Sequence, residues 1–274
     1  MSTLTDHGYS RKYLALCCAF FMLLFAVCSC YALLLPEATG TVVYQSNGTT
    51  IDASHADQGY IMVRQNPTNK PLKMRVSFGK YTLTYDLNSE GEYEVFPLQL
   101  GSGSYKVQIF AQASGKKYSN VSSTKFDATL ESDLTPYLYP NQYVNFTEES
   151  PLILKAEELC AGCNTDQEKV DAIVGYVTGN MVYDYAKASS VTTGYLPCPD
   201  NTLVENTGIC FDFSSLIAAM LRSQGIPVQL TIGYADKTYH AWNTIYLDGQ
   251  WVIYDATAII CGTQVSRYTI ERYY

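Results

Sequence analysis

Gly208-Ile209-Cys210-Phe211-Asp212-Phe213-Ser214-Ser215-Leu216 reads as the opening of a helix, and it organises the second half of the chain around it. Phe213, Leu216, Ile217, Met220 and Leu221 recur at helical spacing, and Gly225 stops the pattern. Beyond it the alternation changes to that of strands, expected at 227–234, 239–247 and 251–256, with Asp248-Gly249 as a hairpin turn between the last two. Upstream, Ser150 stands as an N-cap with Pro151 in the first helical position, opening a short helix to about Cys160. Thr165-Asp166-Gln167-Glu168 has the capping-box pattern and opens another helix through Tyr176, whose apolar face is Val170, Ile173, Val174 and Val177. Helices followed by an antiparallel sheet make residues 150–274 an α+β domain.

Outward from there, residues 40–132 lack helical periodicity. Short alternating runs at 41–44, 60–63, 73–78, 81–85, 93–96 and 105–110 are separated by turn residues such as Gly79-Lys80, Gly101-Ser102-Gly103 and Ser114-Gly115-Lys116. Six or seven strands in that length predict an all-β, sandwich-like accessory domain. The 24 tyrosines of the chain suit such pleated surfaces. Pro136 and Pro140 mark residues 133–149 as a linker.

Residues 1–37 differ again. Arg11 and Lys12 precede an apolar run from 13 to 35, which Pro36 and Glu37 end. That is long enough to span a bilayer as a helix, and the basic pair on its N-terminal side places the remainder outside the cytoplasm. The expectation is a single-pass protein of the cell membrane; a cleaved signal peptide or lipidation at Cys30 would export the chain equally. Five of the nine cysteines follow this segment, and setting Cys210 aside leaves four, enough for two disulfides in an oxidising compartment. Cys160 with Cys163 and Cys198 with Cys261 is the expected pairing, although spacing does not decide it.

A net charge of −8 repels phosphate backbones and argues against nucleic acid as a partner. Asp52, Asp57 and Asp86 lack calcium-loop spacing, and Cys160-Ala161-Gly162-Cys163 has no second pair of zinc ligands, so neither metal nor cofactor is expected. Asn47-Gly48-Thr49, Asn120-Val121-Ser122 and Asn145-Phe146-Thr147 fit the glycosylation pattern.

Chemistry concentrates at Cys210. A helix N-terminus favours a thiolate, because its unpaired N–H groups and dipole stabilise negative charge. The same N–H groups can hold an oxyanion. His240 lies on a predicted strand, and Asp255 ends the next strand across the hairpin, so the two side chains are neighbours if the register holds. Asp255 would then orient one imidazole nitrogen while the other meets the Cys210 sulfur. A buried cysteine, or one tied to Cys198 or Cys261 in a redox-gated disulfide, is the competing reading.

With Leu221-Arg222-Ser223-Gln224-Gly225-Ile226-Pro227 and Gly233-Tyr234, the Cys210 block resembles the nucleophile region of the bacterial transglutaminase-like superfamily. Tyr239-His240-Ala241-Trp242-Asn243 resembles its histidine block. Trp251-Val252-Ile253-Tyr254-Asp255-Ala256-Thr257 resembles its aspartate block, with Ala256 where the family often has proline. The resemblance covers residues 150–274. It implies a papain-like α+β fold, a catalytic triad of Cys210, His240 and Asp255, and acyl transfer from protein or peptide amides through a thioester, leaning to hydrolysis over cross-linking. Tyr183 and Tyr185 are candidates for the side-chain half of an oxyanion hole. The other class of function open to the chain is a non-catalytic surface module for binding or adhesion.

Overall fold

Alternating burial builds the N-terminal half. In the computed structural model, which describes residues 33–274, β4 (Leu72–Phe78) buries Leu72, Met74 and Val76 and turns Lys73 and Arg75 outward. This is the period-2 pattern of a strand with one covered face. Around it run β1 (Val43–Ser46), β2 (Thr49–Asp52), β3 (Tyr60–Gln65), β5 (Tyr81–Leu87), β6 (Glu94–Pro97), β7 (Gly103–Ser114) and β8 (Lys117–Ala128). They form two antiparallel sheets, ordered β1-β2-β3-β6 and β5-β4-β7-β8. Ile51, Ile61, Val63 and Phe96 from one sheet share a single apolar cluster with Met74, Tyr85, Val107 and Ile109 from the other.

Two of these strands were not expected. β2 is wholly buried although three of its four residues are polar, and Thr49 donates to Gln65 of β3. β8 runs the full length of β7, yet its polar sequence shows no clear alternation.

The C-terminal half is built on α1 (Pro151–Cys160), α2 (Asp166–Asn180) and α5 (Cys210–Ser223), with the shorter α3 (Tyr185–Ser190) and α4 (Pro199–Glu205) between them. α5 is buried from Asp212 to Ser223, so it is the central helix. It packs on an antiparallel sheet of order β13-β12-β11-β14, formed by β11 (Val228–Ala235), β12 (Thr238–Leu247), β13 (Gln250–Tyr254) and β14 (Tyr268–Tyr273). The last of these, and α6 (Ala256–Cys261) before it, extend the three-strand expectation. Two-residue strands β9 (Val182–Tyr183) and β10 (Thr207–Gly208) pair in parallel just before α5.

Thr165 caps α2 as expected, accepting from the Glu168 N–H at 3.2 Å. Ser150 does not cap α1 with its side chain. Its hydroxyl instead donates to Asp200, whose other oxygen accepts from the Leu152 N–H. A carboxylate fifty positions away thus takes the cap's role, and it brings negative charge to the helix start.

Arg222 is buried at the end of α5, where among the described residues its hydrogen-bond partners are backbone carbonyls. Its guanidinium donates to Val228 O twice, to Tyr139 O at 2.7 Å and to Tyr274 O at 2.8 Å. Burial of the cation pulls its pKa down to about 9. Tyr139, Val144 and Phe146 are buried in the segment between the two halves.

All five cysteines of the described residues are free thiols, so the expected Cys160–Cys163 and Cys198–Cys261 pairs are not formed. A disulfide needs a narrow geometry that counting cysteines does not test. The Cys160 and Cys163 thiols meet through a hydrogen bond at the end of α1, and burial pushes the Cys160 thiol up to about 11. The expected membrane segment lies outside the described residues save for its last few positions. Among the described residues no helix is long and apolar enough to cross a membrane.

Candidate active site

Glycine opens the site. Gly208 is buried at the end of β10, and a Cβ there would lie 2.7 Å from the Asp212 Cβ. Only hydrogen at this position lets the Asp212 carboxylate fold back and accept from the Ile209 N–H at 2.8 Å. That contact satisfies one of the free donors at the start of α5 and leaves Cys210, the first helical residue, at its mouth.

His240 reaches the same place from β12. Its Nε2 lies 2.9 and 3.0 Å from the two Asp255 oxygens. Asp255 follows the last residue of β13 and begins α6, where its Oδ1 also accepts from the Ala258 N–H at 3.0 Å. Tyr268 of β14 donates to Asp255 Oδ2 at 2.9 Å. With Nε2 committed to the carboxylate, Nδ1 is the nitrogen left for the Cys210 thiol, which hydrogen-bonds the ring. Cys210, His240 and Asp255 are therefore brought into one chain of contacts.

Electrostatics follow from that chain. Burial would depress the His240 pKa, but hydrogen bonds to Asp255 and Cys210 outweigh it and raise the ring to about 9. Burial would raise Asp255, yet His240, the Ala258 N–H and Tyr268 hold it below the ordinary carboxylate value. The imidazole is thus a cation at neutral pH, held between a carboxylate and a thiol.

The two tyrosine candidates part company. β9 pairs Tyr183 with Gly208, which carries its ring to the edge of α5, 6.4 Å from Phe213. Burial, with Cys210 next in weight, raises the Tyr183 phenol to about 12, so it stays protonated and able to donate. Tyr185 is 72% exposed and packs edge-on against Tyr183 at 4.9 Å.

Several neighbours escaped the sequence reading. Asp212, fully buried, accepts from Tyr195 at 2.5 Å and pairs with Lys187 at 2.7 Å. Lys187 also lies over the Tyr195 ring at 4.7 Å. These contacts tie α3 and the loop after it to the first turn of α5. Lys187 and Tyr195 sit in a polar stretch with no motif of their own; the one signal was an acid three residues into a helix, a position that serves helix starts. Tyr268 lies in the tail, beyond the strands that were expected.

Residues 155–256, a segment that holds Cys210, His240 and Asp255, match the model of the transglutaminase-like superfamily. That segment is a transglutaminase-like core. Human kyphoscoliosis peptidase is 27% identical to the chain over 123 residues, covering 40% of this chain and 18% of that protein. The chain therefore spans about a fifth of the length of this curated relative. Among solved structures, a protein of Cytophaga hutchinsonii described as a candidate cysteine protease shares 18% identity at a TM-score of 0.42, covering 73% of this chain and 75% of its own. The periplasmic domain of TgpA from Pseudomonas aeruginosa shares 15% identity at a TM-score of 0.35, covering 83% and 77%. In the segment that matches, the buried α5 begins at Cys210, and the sheet beside it carries His240 and leads into Asp255.

Proposed function

We propose that the protein is a cysteine-dependent acyl-transfer enzyme acting on protein or peptide amides, with Cys210 as nucleophile, His240 as acid and base, and Asp255 as the group that orients the ring. The observation that carries this is the Cys210–His240–Asp255 contact chain at a helix N-terminus inside the transglutaminase-like core. The thiolate attacks the amide carbonyl, forming an S–C bond. As the C–N bond breaks, the Nδ1 proton of the imidazolium passes to the departing amine, leaving a thioester. Water then gives a proton to Nδ1 and attacks the thioester, the S–C bond breaks and the carboxylate product leaves. General acid–base help of this kind is worth roughly 10²–10⁴ in rate. The oxyanion is met by the free N–H groups at the start of α5 and by the Tyr183 hydroxyl.

Hydrolysis is the favoured outcome, because water is the abundant acceptor; an amine in its place would give cross-linking by the same steps. Residues 40–132 are read as a sandwich-like accessory domain joined through 133–149 to a papain-like catalytic domain at 150–274. The apolar run at 13–35 is read as what exports the chain and holds it at the cell membrane.

The test is iodoacetamide labelling at graded pH with mapping of the modified cysteine. Preferential alkylation of Cys210 well below pH 8, lost in His240→Ala, supports the reading. A Cys210 that stays inert after reduction sinks it and leaves a binding module. A new carboxylate against incorporation of a primary amine then separates hydrolysis from cross-linking.

A further inference from the structure

We infer that the groove between the edges of two sheets, away from the thiol, receives an extended stretch of the polypeptide substrate by strand addition. This rests on the acyl-transfer reading for the identity of the occupant. The groove has a volume of about 1200 Å³. Sites for small molecules run to about 1,000 Å³, so this one is sized for a chain segment.

Its walls carry the case. β5 stands at the end of the order β5-β4-β7-β8, and β14 at the end of β13-β12-β11-β14. Thr82, Leu83 and Thr84 of β5 line one side, and Ile270 and Arg272 of β14 line the other. Among the described residues each strand has a partner strand on one flank only, so its outer N–H and C=O groups are a template for another strand. Natural edges are blunted by proline or lysine, and Tyr81-Thr82-Leu83-Thr84-Tyr85-Asp86-Leu87 contains neither. Side-chain amides close the ends: Gln142 donates to Asp86 O at 2.9 Å, and Gln99 donates to Tyr273 O. Both mimic the peptide N–H that a neighbouring strand would offer.

Charge does not select the occupant. Lys73 and Arg272 face Asp86, Asp133 and Glu271 around the rim, which nearly balance. Recognition through backbone bonds, with Tyr137 and Trp251 as an aromatic floor, suits unfolded protein segments of varied sequence. The groove also leads toward the thiol. Tyr143, on its lining, lies 6.0 Å ring to ring from Phe211, the residue after Cys210. A substrate paired along β5 would extend past Tyr143 and Phe211 to present an amide to Cys210.

The probe is fluorescein-labelled, carboxymethylated casein, an unfolded protein, and the binding measurements use the full chain carrying Cys210→Ser. Hydrogen exchange should show the amides of β5 slowed when casein binds. Leu83→Pro and Thr84→Pro each remove one donor, and because ladder bonds alternate along a strand, one of the two removes the donor that points away from β4. The variant that keeps the parent melting temperature should bind casein at least tenfold more weakly by anisotropy, while in the Cys210 background its alkylation rate matches the parent. No casein binding, protection elsewhere with β5 unchanged, or undiminished affinity in the well-folded variant overturns the inference. Casein binding at β5 alongside an inert Cys210 removes the acyl-transfer reading and leaves the groove standing.

Discussion

Asp255→Asn tests the electrostatics of the site with little change of shape. Asparagine keeps an oxygen to accept from the Ala258 N–H, so the start of α6 survives. What disappears is the anion beside the His240 ring. The ring stands at about 9 against an ordinary 6.5, a difference worth roughly 3 kcal/mol at about 1.4 kcal/mol per unit. Burial opposes that shift, so the favourable contacts supply more than the net. Without the carboxylate, burial is answered only by Cys210, and the ring should return to its ordinary value or below. The direct assay follows the His240 Cε1 proton by NMR across pH 5–10 in the parent, in Asp255→Asn and in Cys210→Ser, the last isolating the thiol's share. Stability should follow. A histidine whose pKa is raised on folding contributes fully below its unfolded value, and that contribution fades as pH climbs through the folded value. Urea unfolding of the parent should weaken by roughly 3 kcal/mol between about pH 6.5 and 9, and this slope should be absent from Asp255→Asn. A ring that titrates near 9 without the carboxylate, or near 6.5 with it, refutes the reasoning.

Other expectations come from single contacts. Tyr268→Phe removes a donor to a carboxylate, a loss of roughly 1.5–3 kcal/mol; because Asp255 is stabilised in its charged form, the acid midpoint of unfolding should move to higher pH. Gly233→Ala would put a Cβ 2.0 Å from Thr269 O, where β11 and β14 meet at a bulge. A loss of about 1–3 kcal/mol is expected from such overpacking, and since Gly233 pairs with His240 in the ladder, Cys210 alkylation should slow too. Arg222→Lys cannot reach Val228, Tyr139 and Tyr274 together, and each abandoned carbonyl should lower unfolding stability by about 1–3 kcal/mol.

What could be read from the chain beforehand tracks how local each signal is. Thr165 and Glu168 lie three residues apart and their cap forms as expected. α5, with Phe213, Leu216, Ile217, Met220 and Leu221 at helical spacing and Gly225 behind it, was legible in the same way. β8 hid because its partner is a hairpin neighbour rather than the core: few of its residues are buried, so no alternation marked it. β2 hid for the opposite reason, since it buries Thr49 and Thr50, and the Thr49 hydroxyl finds its partner across the sheet. At the site, the Asp248-Gly249 turn made the adjacency of His240 and Asp255 conceivable, but the contact depends on the chain turning out of β13 into α6 at Asp255. Tyr268, Lys187 and Tyr195 meet their carboxylates across 13 to 25 positions with no pattern to announce it. The thiol pairing failed because cysteine number speaks of compartment and leaves distance unaddressed.

The carbonyls around Arg222 come from positions 139, 228 and 274, so one side chain sutures stretches that are far apart in synthesis order. A fragment excised at residue 150 would keep the helix and its sheet but strip one acceptor from a buried cation. Anyone trimming this protein to its C-terminal half should expect a fragile product, and should carry the stretch around Tyr139 along with it.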